Sequence, residues 1–149
     1  QLGEAYYGKA WYFWRPTTRH TAASEFSLDG VNALPRVDIV YAHENGDGTM
    51  VKAAVAAGAK GIVLAGVGDG NATKEMVDAL AAAAAKGVVV VRSTRVGSGI
   101  VRRNIEVNDD ALGFVASLEL NPQKARVLLR LALLETASPV EIQRMFNEY

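Results

Sequence analysis

Hydrophobic and polar positions follow two regimes, with the change at Pro35. Upstream, over residues 4–14, aromatic-rich and β-prone runs flank Gly8-Lys9, a pattern that predicts a hairpin. Residues 15–31 turn to Thr, Ser, Ala and single charges, with Pro16 and no sustained period, which reads as a linker or an extended crossing segment. Beyond Pro35 the pattern is regular. A short strand is expected over 37–41, then a polar turn over 44–48 and an Ala/Val-rich helix over 50–57 that stops at Gly58. A buried strand over 61–65 runs into alternating glycines, Gly66, Gly68 and Gly70. Asn71 then caps a predicted helix to about residue 86, with Met76, Leu80 and Ala83 at helical spacing and Gly87 ending it. The run Val88-Val89-Val90-Val91 has the continuous hydrophobicity of a parallel strand buried on both faces.

The last third follows the same logic. Residues 114–116 form a short strand, and Asn121-Pro122 supplies an N-cap and an N1 proline for a helix to about 135. Ser138-Pro139-Val140-Glu141 reads as a capping box, followed by an apolar stripe of Ile142, Met145, Phe146 and Tyr149. Strands alternating with helices imply parallel pairing through right-handed crossovers. The fold class expected is therefore α/β, a small domain with roughly four parallel strands.

Composition narrows the function. Of 149 residues, 16 are Lys or Arg and 16 are Asp or Glu, so the formal net charge is zero. Phosphate recognition needs a clustered positive excess, so nucleic acid is not an expected partner. No apolar stretch approaches the roughly 20 residues that span a bilayer, so no membrane partner is expected either. Cysteine is absent, which excludes disulfides and thiolate metal sites, and only His20 and His43 are present for a histidine-rich centre. A chain that starts at Gln1 reads as processed or partial.

Ligands of open parallel sheets bind outside the carboxyl ends of the strands. Residues 43–48, 66–71 and 92–99 fall there. The alternating glycines suit a backbone that passes close to a ligand or another chain, or a tight strand-to-helix turn capped by Asn71. A dinucleotide loop, with Arg92 and Arg95 as a 2′-phosphate pair, is weakened because Asn71 stands where the third glycine of GxGxxG belongs. A triad of Ser93 or Thr94 with His43 and Asp69 competes with ordinary turn chemistry for the hydroxyls. The acidic cluster over 106–110 reads as a solvated loop without the turn glycine of a calcium site, and Lys124, Arg126 and Arg130 as the wet face of their helix.

Several motifs in register carry a resemblance that covers essentially the whole chain: RHTAASEF (19–26), LPRVDIVY (34–41), LAGVGDGN (64–71), VVRSTRVGSG (90–99), GFVASLELNPQKARVLLRLAL (113–133) and IQRMFNEY (142–149). Together they resemble the C-terminal part of bacterial type II L-asparaginases. The resemblance implies hydrolysis of L-asparagine, with some L-glutamine, to the acid and ammonia through a Thr acyl-enzyme and without a cofactor. It implies a homotetramer built as a dimer of intimate dimers, and a periplasmic or secreted location. The family's TGGT-type and TDT-type nucleophile motifs are not in this sequence, so no catalytic residue is expected in this chain. Its expected partner is the missing N-terminal part of the same enzyme. Residues 1–21 resemble the end of that N-terminal domain with its last β-hairpin, 22–34 the interdomain linker, and 35–149 the flavodoxin/Rossmann-like C-terminal domain. Asn71 and Glu106 match the family positions that hold the substrate's α-amino group in a neighbouring subunit. Two other readings stand beside this one: a non-catalytic amino-acid sensor domain, and an NADP-type dinucleotide-binding domain.

Overall fold

The computed structural model describes residues 3–6, 8–12 and 19–149. Strands β1 (Gly3–Tyr6) and β2 (Lys9–Tyr12) pair antiparallel, with Gly3 opposite Tyr12 and Tyr6 opposite Lys9. The expected hairpin is therefore present. Tyr7, Phe13, Trp14 and Pro16, which belong to the hairpin and linker expectations, lie outside the described residues.

Beyond Pro35, strands β3 (Val37–Tyr41), β4 (Gly61–Gly66), β5 (Val89–Thr94) and β6 (Phe114–Ala116) lie side by side in chain order, all parallel. Helices α1 (Thr49–Ala56) and α2 (Lys74–Ala84) make the β3-to-β4 and β4-to-β5 crossovers. A single turn, α3 (Asp109–Leu112), precedes β6, and α4 (Pro122–Glu135) and α5 (Pro139–Glu148) follow it. Side chains alternate across each strand, so the sheet feeds two cores. Ile62, Leu64, Val90 and Phe114 pack with Val51, Met76, Leu80 and Ala83 of α1 and α2. Val63, Val89, Val91 and Val115 pack with Leu129, Ile142, Met145 and Phe146 of α4 and α5. With helices on both faces, every residue of β4, β5 and β6 is buried.

The outer edge of β6 is closed by a side chain. Gln143, 7% exposed on α5, accepts from the Ala116 amide (2.8 Å) and donates to the Ala116 carbonyl (3.1 Å), as a further strand would.

Helix starts depart from the sequence pattern in two places. Asn121 caps α4 as expected, its Oδ1 accepting from Lys124 N at 2.9 Å. Asn71, by contrast, does not cap α2. Its amide and carbonyl are taken by an antiparallel bridge to Val67 (2.8 and 3.0 Å), which closes the preceding loop and delays the helix. Thr73 is the cap: its Oγ1 accepts from Met76 N (3.3 Å) and donates to the Gly46 carbonyl. At Ser138 only half of the capping box forms. Ser138 Oγ accepts from Glu141 N at 3.5 Å, but Ser138 N donates to Thr136 Oγ1 and the Glu141 carboxylate takes Arg144 instead. Arg126 and Arg130 are not a wet face either. Their Nε atoms donate to the carbonyls of Val37 (2.7 Å) and Pro35 (3.1 Å), serving the open edge beside β3.

Residues 19–26 dock on α5. The Glu25 carboxylate takes both Arg144 Nη atoms (2.7 and 3.2 Å), the Tyr149 hydroxyl accepts from the Glu25 amide (3.1 Å), and the Phe26 and Tyr149 rings lie 5.0 Å apart. Hydrogen bonds from Arg144 hold the Glu25 carboxyl below the usual glutamate range, against partial burial, with the charges of Arg144 and Arg19 adding to them.

Two outcomes are expected. Thr73→Ala removes the cap and costs about 1 kcal/mol in denaturant unfolding, whereas Asn71→Ala leaves the helix start intact. For Glu25, a folded-state pKa below the unfolded value means stability that is present above the ordinary carboxylate range and lost as pH falls through the lowered value. Glu25→Gln is therefore expected to cost about 1 kcal/mol at neutral pH, screening included, and progressively less as pH falls below the ordinary carboxylate range, as read from melting curves across that range.

Candidate functional site

The carboxyl end of the sheet is shaped by one charge. After the valine run, the expected loop at 92–94 is instead the continuation of β5, and Arg92 within it is 1% exposed. By alternation it lies on the α1/α2 face with Val90. A guanidinium in that environment is tolerated only if its donors are served. Nε and Nη2 donate to the two oxygens of Asp109 (2.6 and 2.7 Å), Nη1 to the Asp69 carbonyl (2.8 Å) and Nη2 also to the Arg102 carbonyl (3.0 Å). Asp109 is itself 0% exposed, a correction to the solvated acidic loop read from the sequence.

Each partner of Arg92 makes a further bond. Asp109 Oδ2 accepts from Asn104 N at 2.7 Å. The Asp69 carboxylate accepts from Arg102 N (2.6 Å) and Arg102 Nη2 (3.2 Å). Asn104 takes a left-handed backbone, φ +59, that asparagine tolerates better than most side chains, and its amide donates to Asp110 Oδ2 at 2.7 Å. That bond first, and Arg103 second, hold the Asp110 carboxyl below the usual aspartate range. The 66–71 loop and the 102–110 loop are thereby fastened to each other through β5.

The glycines of the first loop serve this close packing. A Cβ on Gly66 would lie 2.7 Å from the Asn71 carbonyl oxygen across the Val67–Asn71 bridge. Gly70, at φ +82, runs against Arg92, where a Cβ would lie 2.9 Å from Nη1 and 2.9 Å from Val101 Cγ1. The close approach expected at this loop is to its own chain.

Asn71 ends the first loop, half-buried, two residues beyond Asp69. Glu106 is exposed on the second, two residues beyond Asn104, in a cleft of about 380 Å³ that Ile105, Val107 and Asn108 also line. Among the described residues neither side chain has a hydrogen-bond or ion-pair partner, in contrast to Asp69, Arg92, Arg102 and Asp109 around them. A larger cleft of about 510 Å³ at the same end of the sheet lies between Tyr41, Thr94, Arg95 and the start of α4.

The other sequence candidates are not brought together. His43 Nδ1 donates to the Glu44 carbonyl (2.8 Å), Ser93 Oγ to the Leu120 carbonyl (2.8 Å), and Asp69 is committed to Arg102, so no triad is assembled. Arg92 is fully engaged and cannot bind a 2′-phosphate. The sequential strand order also lacks the reversal at which dinucleotides bind. Among the described residues no group of three His, Asp or Glu side chains could hold a metal ion, and no helix is long and apolar enough to cross a membrane. Sequence reading missed Asp109 and Gln143. Asp109 had a signal, since an arginine directly after four valines demands a buried carboxylate.

A parallel four-stranded α/β domain with two loops locked across its carboxyl end is the class that fold and site define. Residues 36–146 match the family described as the Glutaminase/Asparaginase C-terminal domain, and the chain belongs to that family. It is 49% identical to L-asparaginase 2 of Escherichia coli (strain K12) over 99% of this chain and 42% of that protein. It is 45% identical to the probable periplasmic L-asparaginase of Haemophilus influenzae, with 99% and 42% covered. Against the glutaminase-asparaginase of Pseudomonas fluorescens biotype A identity is 44%, with 99% and 41% covered. The chain thus spans about two fifths of the length of these relatives.

Removing Asp109 alone leaves a buried guanidinium without its counter-charge. Asp109→Ala is expected to cost about 3–5 kcal/mol in urea unfolding, and the paired change Arg92→Met with Asp109→Leu less than that.

Proposed function

We infer that this chain is the C-terminal part of an enzyme that hydrolyses the side-chain amide of L-asparagine to L-aspartate and ammonia. In this reading the attacking Thr hydroxyl lies outside the chain. Asn71 and Glu106 reach the site of a neighbouring subunit in a homotetramer and hold the substrate's α-ammonium. Residues 1–21 then belong to the preceding domain, 22–34 to the linker and 35–149 to the C-terminal domain.

One observation carries the reading. The network around Arg92 fastens the loops that bear Asn71 and Glu106, yet among the described residues it leaves those two side chains without partners of their own. The side chains of Arg92, Asp69 and Asp109 nearby are used for structure, and these two are not. Their chemistry suits an ammonium, because a carboxylate and an amide oxygen are both acceptors. A charge-assisted hydrogen bond contributes roughly 1.5–3 kcal/mol, enough to orient the ammonium and so set the amide carbon for attack. Support for the substrate comes from relatives named as asparaginases, and for glutamine as a second substrate from the relative named glutaminase-asparaginase. The relative named periplasmic supports a periplasmic location.

The test is kinetic, in the enzyme that joins this chain to its N-terminal part. Glu106→Gln is expected to lower kcat/KM for asparagine at least about tenfold, equivalent to ~1.4 kcal/mol. Asn71→Ala is expected to lower it less, with an unchanged melting temperature. Unaltered kinetics in Glu106→Gln would refute the role.

A further inference from the structure

We propose that Asp69 is a specificity-determining positioning residue, which ties the loop of Asn71 to the loop of Glu106 and so sets the spacing of the ammonium acceptors. The proposal rests on the reading of Asn71 and Glu106 given above.

Two connections cross directly between the loops. Arg92 spans them by donating to the carbonyls of Asp69 and Arg102. The Asp69 carboxylate spans them again, taking Arg102 N at 2.6 Å and Arg102 Nη2 at 3.2 Å. Asp69 therefore contributes both an acceptor carbonyl and an acceptor carboxylate, within two residues of Asn71. The two links differ in what else they hold. Arg92 and Asp109 are wholly buried and secure the end of the sheet, so losing either loosens the fold. The Asp69–Arg102 pair lies nearer the surface, with side chains 6% and 15% exposed, and joins loop to loop.

An ammonium is demanding about that junction. Two oxygens that accept from one tetrahedral nitrogen sit roughly 4.5 Å apart, and a shift of about 1 Å in one of them forfeits a bond. Loop spacing is thus converted into preference for substrates that carry the α-amino group. A substrate without that group is indifferent to it.

The experiment compares asparagine with succinic acid monoamide, the same amide lacking the α-amino group, in the enzyme that joins this chain to its N-terminal part. Asp69→Ala is expected to lower kcat/KM for asparagine about tenfold, mainly through KM, and to change it less than about twofold for the monoamide. Asp69→Asn, which keeps an acceptor oxygen for Arg102 N, is expected to restore most of the loss. Equal falls on both substrates would mean a merely structural role and would overturn the proposal, as would an unchanged preference for asparagine. Should Asp69→Ala fail to fold, Arg102→Ala, which retains the backbone N–H, undergoes the same comparison with the same expected direction. Glu106→Gln measured alongside separates the two layers. If it keeps the full preference for asparagine, the ammonium reading itself is wrong. If it loses that preference while Asp69→Ala keeps it, that reading stands and the clamp does not.

Discussion

A guanidinium enclosed by a parallel sheet dictates the shape of everything around it. Arg92 stands near the carboxyl end of β5, 1% exposed, where leaving its donors unserved would cost several kcal/mol. Two loops distant in sequence supply what it needs: a carboxylate from Asp109 and carbonyls from Asp69 and Arg102. Beyond the Val67–Asn71 bridge and the single turn α3 neither loop has regular structure of its own, and neither feature reaches the other loop, so their mutual arrangement follows from this charge. The left-handed Asn104 and the crowded Gly70 are local consequences of drawing both loops inward.

The same economy governs the sheet edges. β6 is only three residues long, and its outer backbone groups are met by the Gln143 amide instead of a fifth strand. At the opposite edge, Arg126 and Arg130 serve the carbonyls of Val37 and Pro35. Long polar side chains from α4 and α5 thus do more than face water. They finish hydrogen bonding that the sheet leaves incomplete. The consequence for function is a platform whose carboxyl end, among the described residues, presents uncommitted side chains, Asn71 and Glu106 among them.

Sequence reading failed at Asn71 and around Arg92 for different reasons. Asn71 was expected to cap α2, since Asn before a helical pattern usually does, but the Val67 bridge had already taken its backbone. The 92–94 segment was expected to be a loop because Arg-Ser-Thr is polar, and Asp109 was expected to be solvated because it sits in an acidic run. Both misreadings come from the same pair. An ion pair 17 residues apart in sequence cannot be seen as a local pattern, yet it lets polar residues continue a buried strand.

Local pattern alone determined the hairpin, the four strands and helices α1, α2, α4 and α5, with Asn121-Pro122 opening α4, because side-chain period and end chemistry act within a few residues. Tertiary structure decided which polar residues are structural and which are left available. That division depends on where distant loops meet, and burial turns the same carboxylate into a counter-ion at Asp109 and an open acceptor at Glu106.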